Sequence, residues 1–257
     1  MLALPNLSLR AVAVWRRNYL VWRKLAIPSV LGNLADPMIY LFGLGYGLGG
    51  MLPQIAGVSY IQFLAAGTVC ASTMNAASFE ALYSGFSRMH VQKTWDAILN
   101  APVSLDDVVA GEWLWAAAKA TLSGSAILVV ISALGFVASP LALWALPIIF
   151  LTGLAFAGLG LIVTALAPSY DFFMYYFTLL VTPMVLLSGV FFPVEQLPAA
   201  AQHIAAVLPL SHAVRLVRPL LLGEVPANIP LHLAVLIGTA LPAFWLALIL
   251  TRRRLLS

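Results

Sequence analysis

The sequence predicts an all-α integral membrane protein. Of its 257 residues, 62% are hydrophobic and only 9% are charged, whereas about one quarter of the residues of a soluble domain are charged. The apolar residues form long runs, and about 20 of them suffice for a helix to cross a bilayer. We therefore expect a single transmembrane domain with six transmembrane helices. An N-terminal amphipathic helix precedes them at the membrane surface, and an outer-leaflet helical hairpin separates the fifth and sixth spans.

The first element, over residues 8–25, is predicted to be an interfacial amphipathic helix. Apolar side chains recur at helical spacing on one face, and cations recur every seven residues on the opposite face. A solvated basic tail is the alternative interpretation, which the interleaved tryptophans disfavour. The apolar face consists of Val12, Trp15, Tyr19 and Trp22, and the basic face of Arg10, Arg17 and Lys24.

Six longer apolar runs are predicted to span the bilayer. The third opens with Ser104 and Asp107, whose spacing of three residues is typical of a helix N-cap. The cations before the first span and the arginines at 252–254 both favour the cytoplasm, so the number of crossings is expected to be even. The predicted spans are 28–49, 60–83, 105–136, 141–167, 171–192 and 231–250.

The segment 193–230 is apolar enough to be mistaken for a seventh span, but prolines and charged residues interrupt it. Even parity places it outside, so we expect an external re-entrant hairpin of two short helices, with Pro198 and Ser211 near their starts. Its candidate site residues are His212, Arg215 and Arg218.

Four ionisable residues lie inside or at the ends of predicted spans, where charge is costly and therefore often functional. Lys119 lies two turns beyond Glu112 on the same helix face, at a predicted depth comparable with that of Asp36, so Asp36 and Lys119 could neutralise each other. Structural pairing, proton or ion coupling, and lining of a substrate route are the three interpretations. The four residues are Asp36, Glu80, Glu112 and Lys119.

An aromatic run opens the fifth span. Aromatic faces stack on sugar rings and slide along acyl chains, so the run is a candidate wall for the path of an amphipathic substrate. An interfacial aromatic belt is the alternative. The candidate residues are Phe172, Phe173, Tyr175 and Tyr176.

Several other functions are disfavoured. The one Lys-Thr pair lacks the glycines of a phosphate-binding loop, so the energy source is expected to be an ion gradient or a separate protein. One cysteine and four scattered histidines offer no metal-site spacing, and no basic stripe for nucleic acid exists outside membrane-flanking positions. The acids cluster near one face without an internal repeat, which disfavours a gradient-driven transporter. No predicted span contains paired acids or a histidine cluster at helical spacing, which disfavours a membrane-embedded enzyme.

Five sequence runs resemble the membrane subunits of type-2 ABC exporters, and within them the nodulation protein J group. The resemblance extends over nearly the whole chain, and the run at the end of the fifth span is the most specific. Relatives of this kind export polysaccharides, lipo-oligosaccharides and drugs, so the substrate is less well specified than the family. The runs are Ala13–Leu20, Gly32–Pro37, Leu154–Ala157, Thr164–Asp171 and Leu187–Pro198.

The resemblance implies a homodimer with two copies of a cytoplasmic ABC ATPase, which would bind ATP and Mg²⁺ while this chain binds no cofactor. It also implies a bacterial inner-membrane location, cytoplasmic termini and a coupling helix in the loop 84–104. Apolar side chains in that loop, Trp95 among them, are expected to dock into the ATPase, although Trp95 resting on lipid head groups is the alternative. The candidate coupling residues are Met89, His90, Trp95 and Asp96.

The expected function is therefore that of a permease subunit. It would export an amphipathic glycolipid, lipo-oligosaccharide or polysaccharide by a route between the first, second and fifth spans. Export of a small hydrophobic drug-like molecule is the alternative, and gradient-driven transport is the less favoured one.

Overall fold

The computed structural model describes residues 5–52, 54–55 and 57–256 of the chain. Within these residues the one sheet is a short antiparallel hairpin of β1 (Gln54–Ile55) and β2 (Val58–Ser59), and nearly everything else is helical. The prediction of an all-α membrane protein is confirmed. The α-helices are α1 (Arg10–Trp22), α2 (Ala26–Gly47), α3 (Tyr60–Phe79), α4 (Thr94–Leu99), α5 (Leu105–Ala133), α6 (Ala145–Leu166), α7 (Phe173–Tyr176), α8 (Thr182–Leu187), α9 (Ala199–Ala205), α10 (Pro209–Leu222) and α11 (Ile229–Leu256).

The N-terminal helix α1 packs against α5 and continues into α2 through a single 3-10 turn. Its buried residues are Ala11, Val14 and Asn18. Gly111 of α5 allows this close approach, because a Cβ atom at that position would lie 2.5 Å from Cβ of Val14. The most buried face of α1 therefore lies beside the predicted apolar face and does not coincide with it.

The predicted apolar face of α1 is only partly available to the membrane. Trp115 on α5 makes edge-to-face contacts with three rings of this face. The ring centroids of Trp15, Tyr19 and Trp22 lie 6.4, 6.4 and 5.9 Å from that of Trp115. Val12 is 52% exposed. The aromatic side chains thus hold α1 against the helical bundle, and the interfacial position of α1 stays a prediction.

Helix α3 continues well beyond the end that the sequence predicts at residue 83. Two π-helical segments, Glu80–Ser84 and Ser87–Val91, extend it. The helix then breaks at Lys93, whose φ of 49° is left-handed, and α4 follows. The first part of the predicted coupling loop is therefore helix, and Arg88 within it is paired inside the protein rather than solvated.

The long helices α5, α6 and α11 pack together, and α6 also contacts α3 and α10. The N-cap predicted for α5 is confirmed: Ser104 Oγ accepts a hydrogen bond from the Asp107 N–H at 3.1 Å, and Asp107 accepts one from the Ser104 N–H at 3.4 Å. Helix α5 ends at Ala133, slightly before the predicted residue 136, whereas α11 continues to Leu256, beyond the predicted residue 250.

A carboxylate clamp at the start of α5 joins the N-terminal segment to α11. Asp106 accepts a hydrogen bond from the Asn6 N–H at 2.7 Å and another from Arg252 Nε at 2.8 Å. The adjacent Asp107 accepts the Ser8 N–H at 2.6 Å. Two neighbouring side chains of α5 therefore bind two distant parts of the chain, the N-terminal segment and α11.

The fifth apolar run forms a helical stretch that is shorter than predicted. It comprises a 3-10 turn (Tyr170–Phe172), α7, a π-helical segment (Phe177–Val181) and α8, and it ends at Leu187 rather than at residue 192. Gly189 follows with a φ of 73°. A left-handed residue just past a helix is typical of a C-terminal stop, and glycine adopts it without steric cost.

The segment 193–230 forms two short helices, as predicted. Pro198 precedes α9, and α10 begins at Pro209 with Ser211 in its first turn. The two helices meet at an angle of 83°. Gly223, with a φ of 84°, ends α10.

Among the residues that the structure describes, five helical stretches are long and apolar enough to cross a membrane, and the bent pair of α9 and α10 would be a sixth if it were one span. Polar residues such as Gln62 and Asn75 lower the hydropathy of α3, so α3 is not among the five. Its 20 residues nevertheless reach about 30 Å, and its neighbours bury most of them. The six-span assignment that includes α3 stays a prediction. The five stretches are Arg10–Gly47, Leu105–Ala133, Pro140–Leu166, Tyr170–Leu187 and Ile229–Leu256.

Candidate functional site: a polar cluster and a membrane groove

A buried polar cluster joins the continuation of α3 to α5. Nε of Arg88 lies 2.9 and 3.0 Å from the two carboxylate oxygens of Glu112, and its Nη2 lies 2.9 Å from Oε1 of Glu80. Nζ of Lys119 lies 2.6 Å from Oε2 of Glu80. Glu80 and Glu112 are only 3% and 2% exposed. Two cations thus balance two buried carboxylates.

Two indole groups complete the hydrogen bonding of the polar cluster. Trp115 Nε1 donates to Glu80 Oε1 at 2.7 Å, and Trp95 Nε1 donates to Glu112 Oε1 at 3.2 Å. Buried carboxylates are tolerated when opposite charges and hydrogen-bond donors together replace the lost water. The polar cluster therefore fixes α3, α4 and α5 relative to one another.

The partner that the sequence predicts for Lys119 is wrong. Lys119 pairs with Glu80 and not with Asp36. Lys119 and Glu112 do share one face of α5, as predicted, and that face is directed at α3. The Asp36–Lys119 hypothesis rests on the similar predicted depths of the two residues in the bilayer. Depth alone does not specify the direction in which a side chain points around its helix.

The apolar residues of the predicted coupling loop lie inside the chain. Trp95 is 1% exposed and Met89 is 4% exposed. The prediction that these two side chains form an outward apolar ridge is wrong, because Glu112 supplies a buried partner for the Trp95 indole. His90 and Asp96 are exposed, as an interface requires. Partial burial and the positive charge of Arg254 lower the pKa of His90, against an opposing effect of Asp96.

A groove of about 370 Å³ lies between α2, α3 and the helical stretch 170–187. A second cavity of about 370 Å³ adjoins it and shares Asp36, Ser72, Asn75 and Phe79 with it. Both cavities together are named the membrane groove here. Asp36 is exposed to the membrane groove, and the following Pro37 cannot donate a backbone hydrogen bond to the preceding turn of α2.

The aromatic wall of the membrane groove differs from the predicted one. Phe79 and Phe177 face each other with ring centroids 4.5 Å apart, and Phe191 lines the groove nearby. Of the four predicted residues, Phe173 and Tyr176 are buried, and the Tyr176 hydroxyl lies 3.2 Å from Ser78 Oγ. Phe172 is half-buried and Tyr175 is 63% exposed. The aromatic residues that line the groove are not these four but Tyr40, Phe79, Phe177 and Phe191.

Sequence reasoning missed the wall that α3 contributes. Thr68, Ser72, Asn75 and Phe79 all line the membrane groove. Their spacing of four, three and four residues places them on one helix face. This stripe of polar side chains within an apolar run was the signal that could have found the groove.

A sequence match over most of the chain, including the polar cluster and the membrane groove, identifies the family. A sequence model of the ABC-2 type transporter family matches residues 10–222, which run from α1 to the end of α10. The chain belongs to the ABC-2 type transporter family. The resemblance that the five sequence runs indicate is therefore confirmed. The matched residues include those of the polar cluster and of the membrane groove.

Two relatives named nodulation protein J match nearly the whole chain, and a third relative matches about four fifths of it. Nodulation protein J of Rhizobium meliloti (strain 1021) is 53% identical over 254 residues, which are 99% of this chain and 97% of the relative. Nodulation protein J of Rhizobium leguminosarum bv. viciae is 54% identical over 253 residues, 98% of each chain. The inner membrane transport permease YadH of Escherichia coli (strain K12) is 25% identical over 205 residues, 79% of this chain and 78% of the relative.

The hairpin of this ABC-2 type transporter contains two further polar contacts. Nδ1 of His212 lies 2.7 Å from Nδ1 of His232 on α11, and Nε2 of His212 lies 2.9 Å from the Ala206 carbonyl. A carbonyl only accepts, so His212 donates from Nε2, and in its neutral form it accepts at Nδ1 from His232. Sequence reasoning selected His212 but not His232, because the spacing of 20 residues has no local signature.

Arg218 of the hairpin packs over a ring of α3. Its guanidinium carbon lies 3.7 Å from the centroid of Phe63, and its Nη2 donates to the Gly189 carbonyl at 2.5 Å. Arg215 is exposed. Arg218 therefore links α10, α3 and the turn after α8.

No cluster of three or more His, Cys, Asp or Glu side chains suitable for a metal ion occurs among residues 5–52, 54–55 and 57–256. Cys70 is a free, buried cysteine.

Proposed function

We propose that this chain is the permease of an ATP-driven exporter, in which two copies assemble with two cytoplasmic ABC ATPase subunits. Membership of the ABC-2 type transporter family supports the permease assignment. ATP and Mg²⁺ then bind to the ATPase subunits and not to this chain. In this proposal, ATP binding changes the packing of the two permease copies and opens the membrane groove alternately to the two sides.

The proposed substrate is an amphipathic lipo-oligosaccharide or a related glycolipid or polysaccharide. The mixed lining of the membrane groove is the observation that supports it. Asp36, Asn75 and Ser72 offer hydrogen bonds to sugar hydroxyl groups, while Phe79 and Phe177 offer apolar faces to sugar rings and acyl chains. The similarity to relatives named nodulation protein J agrees with this class. A small hydrophobic drug-like molecule is the second candidate, since most of the groove surface is apolar.

The proposed orientation places both termini and the residues 84–104 in the cytoplasm of a bacterium, with the chain in the inner membrane. The cation distribution along the sequence supports this orientation. In this arrangement the exposed part of the loop meets the ATPase, and His90 and Asp96 are its coupling residues. Val91, which is 62% exposed, provides the apolar contact that Met89 and Trp95 cannot make.

Transport into inverted membrane vesicles tests the proposal. ATP and a labelled lipo-oligosaccharide are added outside vesicles that contain this chain and its ATPase, and accumulation inside the vesicles is measured. Ala71→Trp places a large side chain in the membrane groove and is expected to reduce accumulation by roughly tenfold or more, by analogy with overpacking of a filled site. Ala118→Trp is the matched control, because Ala118 is half-buried but lines a separate cavity between α1 and α5.

Equal transport by the wild-type chain and by Ala71→Trp would reject the groove as the route. Accumulation that is driven by a proton gradient without ATP would reject the exporter assignment in favour of gradient-driven transport.

A further inference from the structure

A separate cleft of about 480 Å³ opens beside the polar cluster, between α1, the continuation of α3 and α5. Its residues are predominantly polar, in contrast to the apolar lining of most ligand cavities. Arg17, Asn18, Arg88 and Lys119 are among them. The transport route proposed above does not use this cleft.

The charges around the cleft do not cancel. Arg88 and Lys119 are neutralised by Glu80 and Glu112 within the polar cluster. Arg17 is an additional cation, and among the described residues no carboxylate forms an ion pair with it. Its Nη1 donates to Asn18 Oδ1 at 2.9 Å. The cleft therefore has an excess of one positive charge, located at Arg17.

A buried amide also lacks a partner in the cleft. Asn18 is 3% exposed, and within the described chain its Nδ2 has no hydrogen-bond partner. Because Asn18 Oδ1 accepts from Arg17, the unpartnered atom is a donor. Leaving a buried donor unpaired is unfavourable, and an acceptor supplied by a ligand would remove that cost.

The remaining walls fit a hydroxyl-bearing group attached to an apolar chain. Ser84 and Ser87 contribute hydroxyl groups, and the rings of Trp22 and Tyr170 contribute flat faces. Val21 lies at the same cleft and is 53% exposed on the outside of α1. Polar groups inside and an apolar residue at the edge match the two ends of an amphipathic molecule.

From these contacts we infer that the cleft is a binding site for an anionic, phosphate-bearing head group of the cytoplasmic leaflet. The phosphate pairs with Arg17 and accepts from Asn18 Nδ2, while the hydroxyl groups of the head group contact the serines and aromatic rings. The acyl chains pass Val21 into the membrane. This site is independent of the membrane groove, and its occupancy holds α1 against the polar cluster.

Native mass spectrometry of the purified full-length chain tests this site with two lipids of identical acyl chains, phosphatidylglycerol and phosphatidylcholine. Both lipids carry a phosphate, but the trimethylammonium group of phosphatidylcholine neutralises that phosphate within the head group and repels Arg17. The wild-type chain is therefore expected to prefer phosphatidylglycerol by about tenfold or more, which is the factor that one charge-assisted contact contributes. Arg17→Gln is expected to reduce the preference to about twofold or less. Arg17→Lys and the control Arg16→Gln, which removes an exposed neighbouring charge, are expected to retain most of it.

Asn18→Asp provides a second variant of nearly unchanged size, and its carboxylate would repel the phosphate. Competition with soluble glycerol 1-phosphate identifies the source of the anion. Displacement of the lipid supports a site for phosphate esters in general, and no displacement supports a site for lipid-anchored ones. Equal losses in Arg16→Gln and Arg17→Gln, or no preference in the wild-type chain, would overturn the inference.

Discussion

The polar cluster and the membrane groove both contain ionisable groups in a membrane protein, but they differ in how the charge is compensated. In the polar cluster, Glu80 and Glu112 each accept from a cation and an indole. In the membrane groove, Asp36 is exposed to the cavity. In one region the carboxylates are paired with neighbouring side chains, and in the other the carboxylate faces an open cavity.

The difference separates structural charge from charge that is available to a ligand. A carboxylate whose lone pairs are used by neighbouring side chains cannot bind a substrate without breaking those contacts. A carboxylate at the wall of a cavity can exchange water for substrate hydroxyl groups. The position of a carboxylate within a predicted span does not distinguish the two cases, whereas its contacts with neighbouring side chains do.

The largest effect is expected in the polar cluster. Glu112→Ala leaves Arg88 with half of its counter-charge in a buried site and is expected to destabilise the chain by about 3–5 kcal/mol. Unfolding of the purified chain in detergent measures this, with Glu224→Ala as a control at an exposed acid. The double variant Arg88→Met with Glu112→Met should recover much of the loss, because apolar replacement of a buried pair is often tolerated. A change below about 1 kcal/mol for Glu112→Ala would contradict the structural role.

An intermediate effect is expected at Trp95. Trp95→Phe keeps an aromatic ring but removes the donor to Glu112, so a loss of about 1–2 kcal/mol in the free energy of unfolding is expected. Trp144→Phe, at a 67% exposed position, is the matched control. Co-purification of the ATPase should fall only as far as the amount of folded chain falls. Loss of the ATPase with an unchanged unfolding free energy would instead restore Trp95 as an interface anchor.

The smallest effect on stability, and the clearest effect on function, is expected at Asp36. Asp36→Asn should change the unfolding free energy by less than about 0.5 kcal/mol, as for an exposed position. Vesicle transport should fall by roughly tenfold if one charge-assisted hydrogen bond to the substrate is lost. Strong destabilisation without a specific transport defect would remove the distinction between the two regions.

Features encoded by neighbouring residues could be predicted from the sequence. The N-cap at Ser104 and Asp107 requires only a spacing of three residues, and the structure contains both of its hydrogen bonds. The two helices of the segment 193–230 follow from prolines that start them. The pairing face of Glu112 and Lys119 follows from helix periodicity.

Features that depend on distant residues could not be predicted in this way. Residues after Ser84 look like a polar loop because their partner, Glu112, lies on another helix. Trp95 looks available for the same reason. Asp36 and Lys119 have similar depths, but the pairing depends on the rotation of each helix about its axis. These contacts join different helices, and a single sequence does not show how each helix is rotated about its axis.

The carboxylate clamp at the start of α5 has a consequence for biosynthesis. Asp106 holds the backbone of Asn6, 100 residues earlier, and the side chain of Arg252, 146 residues later. A ribosome must therefore complete α5 before the N-terminal segment can dock, and most of α11 before the clamp can close. Membrane insertion of the individual helices can precede this step, but their final assembly has to wait until translation has nearly passed through α11.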